Sequence, residues 1–126
     1  MELYESIRLR QDNIINQNKA QIIISRTTRI SDGAGGWLEP DPVNLPVQDF
    51  RIYNKRTRVL NVTEGGWHSQ RITMMIAKYD ANIEAENETF LDTFSYGDKD
   101  YKVTDVKDVY TQGYIVFKEV ALEEIS

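Results

Sequence analysis

Hydrophobic positions along the chain follow two periods. In the first twenty residues, Leu3, Tyr4, Ile7, Ile14 and Ile15 fall in one stripe at the roughly 100° per residue of an α-helix. Gln11 interrupts that stripe, and Leu9 lies on the far side with Glu5 and Asp12 nearby. Residues 1–20 are therefore predicted to form an amphipathic helix, ended by the polar run "NQNKA". Its docking residues Leu3, Ile7, Ile14 and Ile15 need a surface, either the chain's own body or an adjacent subunit.

After Ala20 the period shortens to two. "QIIISRTTRI" is β-branched and threonine-rich, as a strand requires, and "DFRIY" alternates Phe50 and Ile52 with Arg51 and Tyr53. The clearest alternation is "RITMMIA", with Ile72, Met74 and Ile76 on one face and Arg71, Thr73, Met75 and Ala77 on the other. "DTFSYGDKDYKVTDV" reads as a hairpin that leaves through Phe94 and Tyr96, turns at Gly97-Asp98-Lys99 and returns through Tyr101 and Val103. "YTQGYIVFKEVALEEI" turns at Thr111-Gln112-Gly113 and runs out as a long strand. "ANIEAENETF" mixes helix formers with Asn and acids and reads as irregular, with room for one helical turn. The predicted fold is mainly β: a small antiparallel barrel or sandwich over residues 21–126, preceded by one N-terminal amphipathic helix, in a single domain of 126 residues.

Composition narrows the chemistry. There is no cysteine, which removes disulfides, thiolate nucleophiles and cysteine metal sites. No apolar run reaches the roughly 18 residues of a membrane span, and "MELYESIRLRQ" lacks the order of a signal peptide, so a soluble, cytosolic protein is expected. The net charge of −5 is uneven, about +2 over residues 1–77 and −7 over residues 78–126. The acidic part should repel duplex nucleic acid. The one basic concentration, "FRIYNKRTR", carries Arg51, Lys55, Arg56 and Arg58, and suits either a solvated strand end or an interface.

The loop "SDGAGGWLEP" (Ser31 to Pro40) holds Gly33, Gly35 and Gly36 directly before Trp37. A phosphate loop needs Lys and Ser/Thr after its last glycine, whereas Trp37 and Leu38 follow here. A dinucleotide fingerprint needs a helix to follow, which Pro40 and Pro42 forbid. What remains is a hairpin connection with glycines at positive φ, or a loop that faces a partner. "GGW" recurs at Gly65-Gly66-Trp67 with unrelated flanks, which indicates two similar loops and no duplication.

Candidates for catalysis are few. His68 is the only histidine, and adjacent Ser69 points to the other side of the chain. Asp98 and Asp100 bracket a turn without the further oxygens of a calcium loop. Acid pairs such as Glu84 and Glu86, or Glu123 and Glu124, suit a hydrated surface. Tyr79, Tyr96, Tyr101, Tyr110 and Tyr114 could stack on bases or sugars, as in a small oligonucleotide-binding barrel, but they lie in the acidic part of the chain, and packing accounts for them more simply. No catalytic residue, cofactor or metal is expected.

Taken in order, the "DGAGGW" loop, "VQDFRIYNKRTR", "RITMMIAKYDANI", "FSYGDKDYKVTDVKDVY" and the closing "VALEEI" resemble the head-closure (head-completion, or stopper) proteins of tailed bacteriophages. The likeness is greatest to the YqbH/XkdH type of Bacillus prophages and phage-like elements. It covers about residues 21–125, and the N-terminal helix is extra to the smaller members. It rests on element order, chiefly "DGxGGW" and "YGDKDYKVTDV".

The resemblance implies a non-enzymatic β-barrel, made in the bacterial cytoplasm and built into the virion neck. There it would associate with itself as a ring beneath the portal and adaptor rings, close the DNA-filled head and present a docking surface to a tail-completion protein. DNA would pass through the channel without specific binding, and no membrane is involved. The resemblance further implies that a long loop from Asn54 to Gln70 projects into the channel or against a neighbour. The interface residues expected on it are Lys55, Arg56, Arg58, Gly65, Gly66 and Trp67, with Gly33, Gly35, Gly36 and Trp37 forming a second loop. Another neck component, such as an adaptor or tail-completion protein, is the alternative within that class. A small barrel that binds nucleic acid or sugar is the alternative outside it.

Overall fold

The computed structural model of the chain describes the backbone of residues 1–31, 33–38, 41–61 and 66–125, and the side chains of all these except 31, 37, 56–61 and 66–71. A single helix, α1 (Leu3–Gln17), precedes ten strands. These are β1 (Ala20–Ile22), β2 (Ser25–Thr28), β3 (Ile30–Ser31), β4 (Trp37–Leu38) and β5 (Val43–Asn44), then β6 (Gln48–Asn61), β7 (Gly66–Lys78), β8 (Phe90–Tyr96), β9 (Lys99–Thr111) and β10 (Tyr114–Ile125). Eight of them form one antiparallel sheet in the order β1-β6-β7-β10-β9-β8-β2-β5, curled into a half-barrel, while β3 and β4 pair separately.

The predicted strand "QIIISRTTRI" is broken in a way that shapes the fold. β1 pairs with β6, with Ile22 opposite Gln48, whereas β2 pairs with β8, with Ser25 opposite Thr93. Ile23 and Ile24 thus carry the chain from one flank of the sheet to the other. Ile22 and Ile24 are buried by that crossing, and together with Phe50, Met75, Phe94, Val103 and Val120 they form the core. Register irregularities in the β9–β10 ladder, between Ile115 and Phe117 and between Ala121 and Leu122, supply local bends of the kind that curl a sheet.

Along β7 the alternation is as predicted, but the smaller apolar set, Met75 and Ala77, is the buried one, and Ile72, Met74 and Ile76 stay half-buried. The segment 81–87 is irregular, without the helical turn for which its composition leaves room. Ile83 anchors it in the core, and the Asn87 side chain accepts the N–H groups of Thr89 and Phe90, an Asx turn that leads into β8.

The chief correction to the sequence reading concerns Asn54–Gln70. This segment forms no long loop: β6 and β7 pair continuously from Phe50 opposite Ala77 to Asn61 opposite Gly66. The cations of "NKRTRVLN" hide a β-branched and apolar set, Thr57, Val59 and Leu60, that suits an extended ladder. β1 covers β6 only at Gln48–Phe50, and β10 covers β7 only at Met74–Lys78. From 54 to 61 and from 66 to 73 the hairpin is therefore a two-stranded ribbon, with no third strand paired to either outer edge among the described residues. At about 3.3 Å per residue it is on the order of 25 Å long.

Candidate functional site

The sequence-predicted interface residues lie on two hairpins. Lys55 is exposed on β6 at the start of the ribbon. Gly66 and Trp67 open β7 opposite Asn61 and Leu60, where the sequence placed a loop. Gly65 and the side chains of Arg56, Arg58, Trp67 and His68 lie outside the described residues, as does the side chain of Trp37. Gly33, Gly35 and Gly36 connect β3 to β4, whose register sets Ile30 opposite Leu38 and Ser31 opposite Trp37. Gly33 and Gly35 have φ of 79° and 86°, a region that L side chains avoid, so the connection is a hairpin that glycine makes possible. Ile30 and Leu38 are exposed on it.

The helix docks on β6, β7 and β10 of its own chain, along a face rotated from the predicted stripe. Ile15 is fully buried and Ile7 and Ile14 are half-buried, but Leu3 remains 57% exposed. The face toward the sheet runs Tyr4–Arg8–Gln11–Ile15, a row of neighbours three and four apart. Polar and aromatic contacts turn it that way. The Tyr4 ring stacks on Tyr114 with centroids 4.0 Å apart, and its amide donates to the Gln112 side chain at 3.3 Å. The Arg8 guanidinium lies 3.8 Å from the Tyr79 ring centre, and its Nε donates to the Ile115 carbonyl at 2.9 Å. Gln112 and Gly113 both have positive φ, as in a type I′ turn, which brings the Gln112 side chain to the start of the helix. Arg8 and Gln112 were missed by a reading that searched for apolar periodicity.

A second group missed from sequence is the buried Arg26–Asp92 pair. Asp92 has no exposed surface, and Arg26 grips both carboxylate oxygens at 2.8 and 2.9 Å. The Glu84 amide donates to Asp92 at 2.8 Å, and Arg26 Nη1 donates to the Asn82 side chain at 2.8 Å. Asn82 in turn exchanges hydrogen bonds with the Gln48 side chain, at 2.8 and 3.0 Å. The hydrogen bonding of Asp92 holds the Arg26 guanidinium above its already high range, which keeps the cation charged. This network ties β2, β8, β6 and segment 81–87 together, and its role is structural.

The other candidate chemistry is dispersed. Lys102 reaches Glu86 at 3.1 Å and Glu123 at 3.9 Å, and Lys99 reaches Glu124 at 3.7 Å, so these acids sit in exposed or half-exposed ion pairs. Asp98 and Asp100 are exposed, and Asp100 accepts a hydrogen bond from Ser95. Of the five tyrosines in the acidic part of the chain, Tyr101 is in the core against Phe94, Tyr79 and Tyr114 pack against the helix, and Tyr96 and Tyr110 are exposed, so they form no common stacking platform. Among the described residues, no group of three or more His, Asp or Glu side chains could hold a metal ion, and no helix is long and apolar enough to cross a membrane.

Among the described residues, two open features stand out. One is the ribbon, which extends past its neighbouring strands β1 and β10. The other is a groove of about 630 Å³ between β1 and β8, lined by Ile23, Asn44, Phe94, Ser95, Asp100 and Ile125 among others. Comparison with protein-family models gives no match, and comparison with curated proteins gives none.

Proposed function

We propose that this chain is a structural, non-enzymatic protein of a phage or prophage neck, which joins head to tail as part of a ring under the portal and adaptor. The observation that carries this reading is the ribbon. A two-stranded hairpin is marginal in water unless something packs on it, yet this one extends roughly 25 Å past its neighbouring strands. A chain that keeps such an element is organised to be completed by other subunits. The element order shared with head-closure proteins supplies the biological setting, and a mostly acidic body suits a channel along which DNA slides without sticking.

Mixing the purified protein with portal–adaptor complexes and imaging them by electron microscopy tests the proposal. Added ring density under the connector is expected, and its absence would refute the neck role. Trp67→Ala, at the far end of the ribbon, should abolish that density and leave the melting temperature nearly unchanged. One observation favours a second reading: a cationic two-stranded ribbon also fits the major groove of DNA. Salt-dependent binding to short duplexes, in place of connector binding, would select it.

A further inference from the structure

We infer that the described strands of the β6–β7 ribbon, Asn54–Asn61 with Gly66–Thr73, form an assembly arm that seats on a second copy of this chain, along the groove between β1 and β8. The inference deepens the neck reading, on which it rests for its biological setting but not for its physics.

The arm brings two things that need partners. Its first is backbone: past Phe50 on β6 and before Met74 on β7, each strand is bonded on one side only, which leaves a row of amides and carbonyls on either edge. Its second is charge. Residues 54–73 carry Lys55, Arg56, Arg58 and Arg71 against one acid, Glu64, a balance of +3, which leaves −8 on the rest of a chain whose net charge is −5. The arm is thus electrostatically matched to the body of its own kind.

The body offers a matching receiver. β2 parts from β8 after the Ser25–Thr93 pair, so among the described strands Phe94–Tyr96 are paired with β9 on one side and with none on the other. β1 runs nearby but is bonded to β6. The groove between them has apolar Ile23, Phe94 and Ile125 in its walls, and Asp100 is the charged residue that lines it. Ile23 is exposed there although most isoleucines of its segment are buried. An incoming strand would gain main-chain bonds to Phe94–Tyr96, cover Ile23 and Ile125, and bring its cations to Asp100. The arm and the groove are different patches, so the contact is head-to-tail, the kind that closes into a ring when its rotation permits.

The test uses sedimentation velocity with the whole chain up to about 1 mM, in about 50 mM and about 500 mM salt. Self-association that strengthens with concentration and weakens with salt is expected. Arg56→Glu with Arg58→Glu should abolish it, and mixing that variant with an Asp100→Lys copy should restore it. The chain has no cysteine, so Arg58→Cys in one copy and Ser95→Cys in another give a clean cross-link; a bridge between the two variants is expected, and Arg58 pairs alone would overturn the inference. A monomer at every concentration would overturn it as well. If the arm variant then also lost binding to the connector, the arm would dock on another protein and the neck role would stand. Self-association without connector binding would keep the arm–groove contact and defeat the neck role.

Discussion

Replacing Arg26 with methionine removes the countercharge from a carboxylate that has no contact with water. Asp92 is 0% exposed and the Arg26 side chain 16%, and the substitution deletes two hydrogen bonds to Asp92 and one to Asn82. Among the described contacts, the carboxylate keeps only the Glu84 amide. Breaking a buried pair from one side costs about 3–5 kcal/mol, and the residual solvent contact of Arg26 puts the expectation near the lower end, about 3 kcal/mol. With an unfolding entropy of about 2.1 cal/mol/K per residue, a chain of this length should lose about 11 °C in melting temperature. Urea denaturation followed by circular dichroism at neutral pH measures the loss. The double variant Arg26→Met with Asp92→Leu should recover at least about 1 kcal/mol, because no unpaired charge is then buried. A loss under about 1 kcal/mol for Arg26→Met, the scale of an exposed ion pair, would refute the claim that this pair pins segment 81–87 to the sheet.

Three smaller perturbations probe other parts of the fold. Arg8→Ala should cost about 1–2 kcal/mol and speed amide hydrogen exchange across residues 4–17, while β6–β10 keep their protection; uniform loss of protection would mean that the helix and sheet do not separate. Gly113→Ala forces a residue with a Cβ to adopt the φ of 82° seen there, and should cost about 1–2 kcal/mol by backbone strain alone, since nothing lies within 4 Å of the added atom. Lys99→Ala removes an ion pair whose side chains are 59% and 53% exposed, and the urea midpoint should move by less than the equivalent of about 0.5 kcal/mol.

Local chemistry made much of this legible from sequence. Gly97 and Gly113 marked their turns because positive φ is written in the residue type, and the β8–β9 and β9–β10 hairpins follow at the expected places. The β3–β4 hairpin was visible in its glycines for the same reason. What escaped were features set by distance along the chain. Arg26 and Asp92 are 66 residues apart, and neither sits in a motif. The break between β1 and β2 has no Gly or Pro; its isoleucines satisfy a straight strand as well as a crossing, and only the position of the far strands decides. Leu3 looked like a docking residue because periodicity counts apolar side chains, whereas stacking and one arginine hydrogen bond set the helix rotation. The ribbon was hidden because Lys, Asn and Gly are depleted in strands on average, a weak preference that the continuous pairing of β6 with β7 overrides.

The crossing at Ile23 and Ile24 also constrains the order of folding. Within β6 to β10, the β6–β7, β8–β9 and β9–β10 pairs are hairpins that can form from contacts close along the chain, while residues 79–89 carry the chain from β7 past β10 and β9 to β8, and β10 returns to β7. β1 and β2 must find β6 and β8 at once, and the helix before them is fastened to Ile115 over a separation of 107 residues. Closing loops of that size is slow and is rewarded only after the distant strands exist. The helix and β1–β2 are thus among the last segments to find their places, and until then the edge strands and the ends of the core lie open to chaperones or to a sister chain.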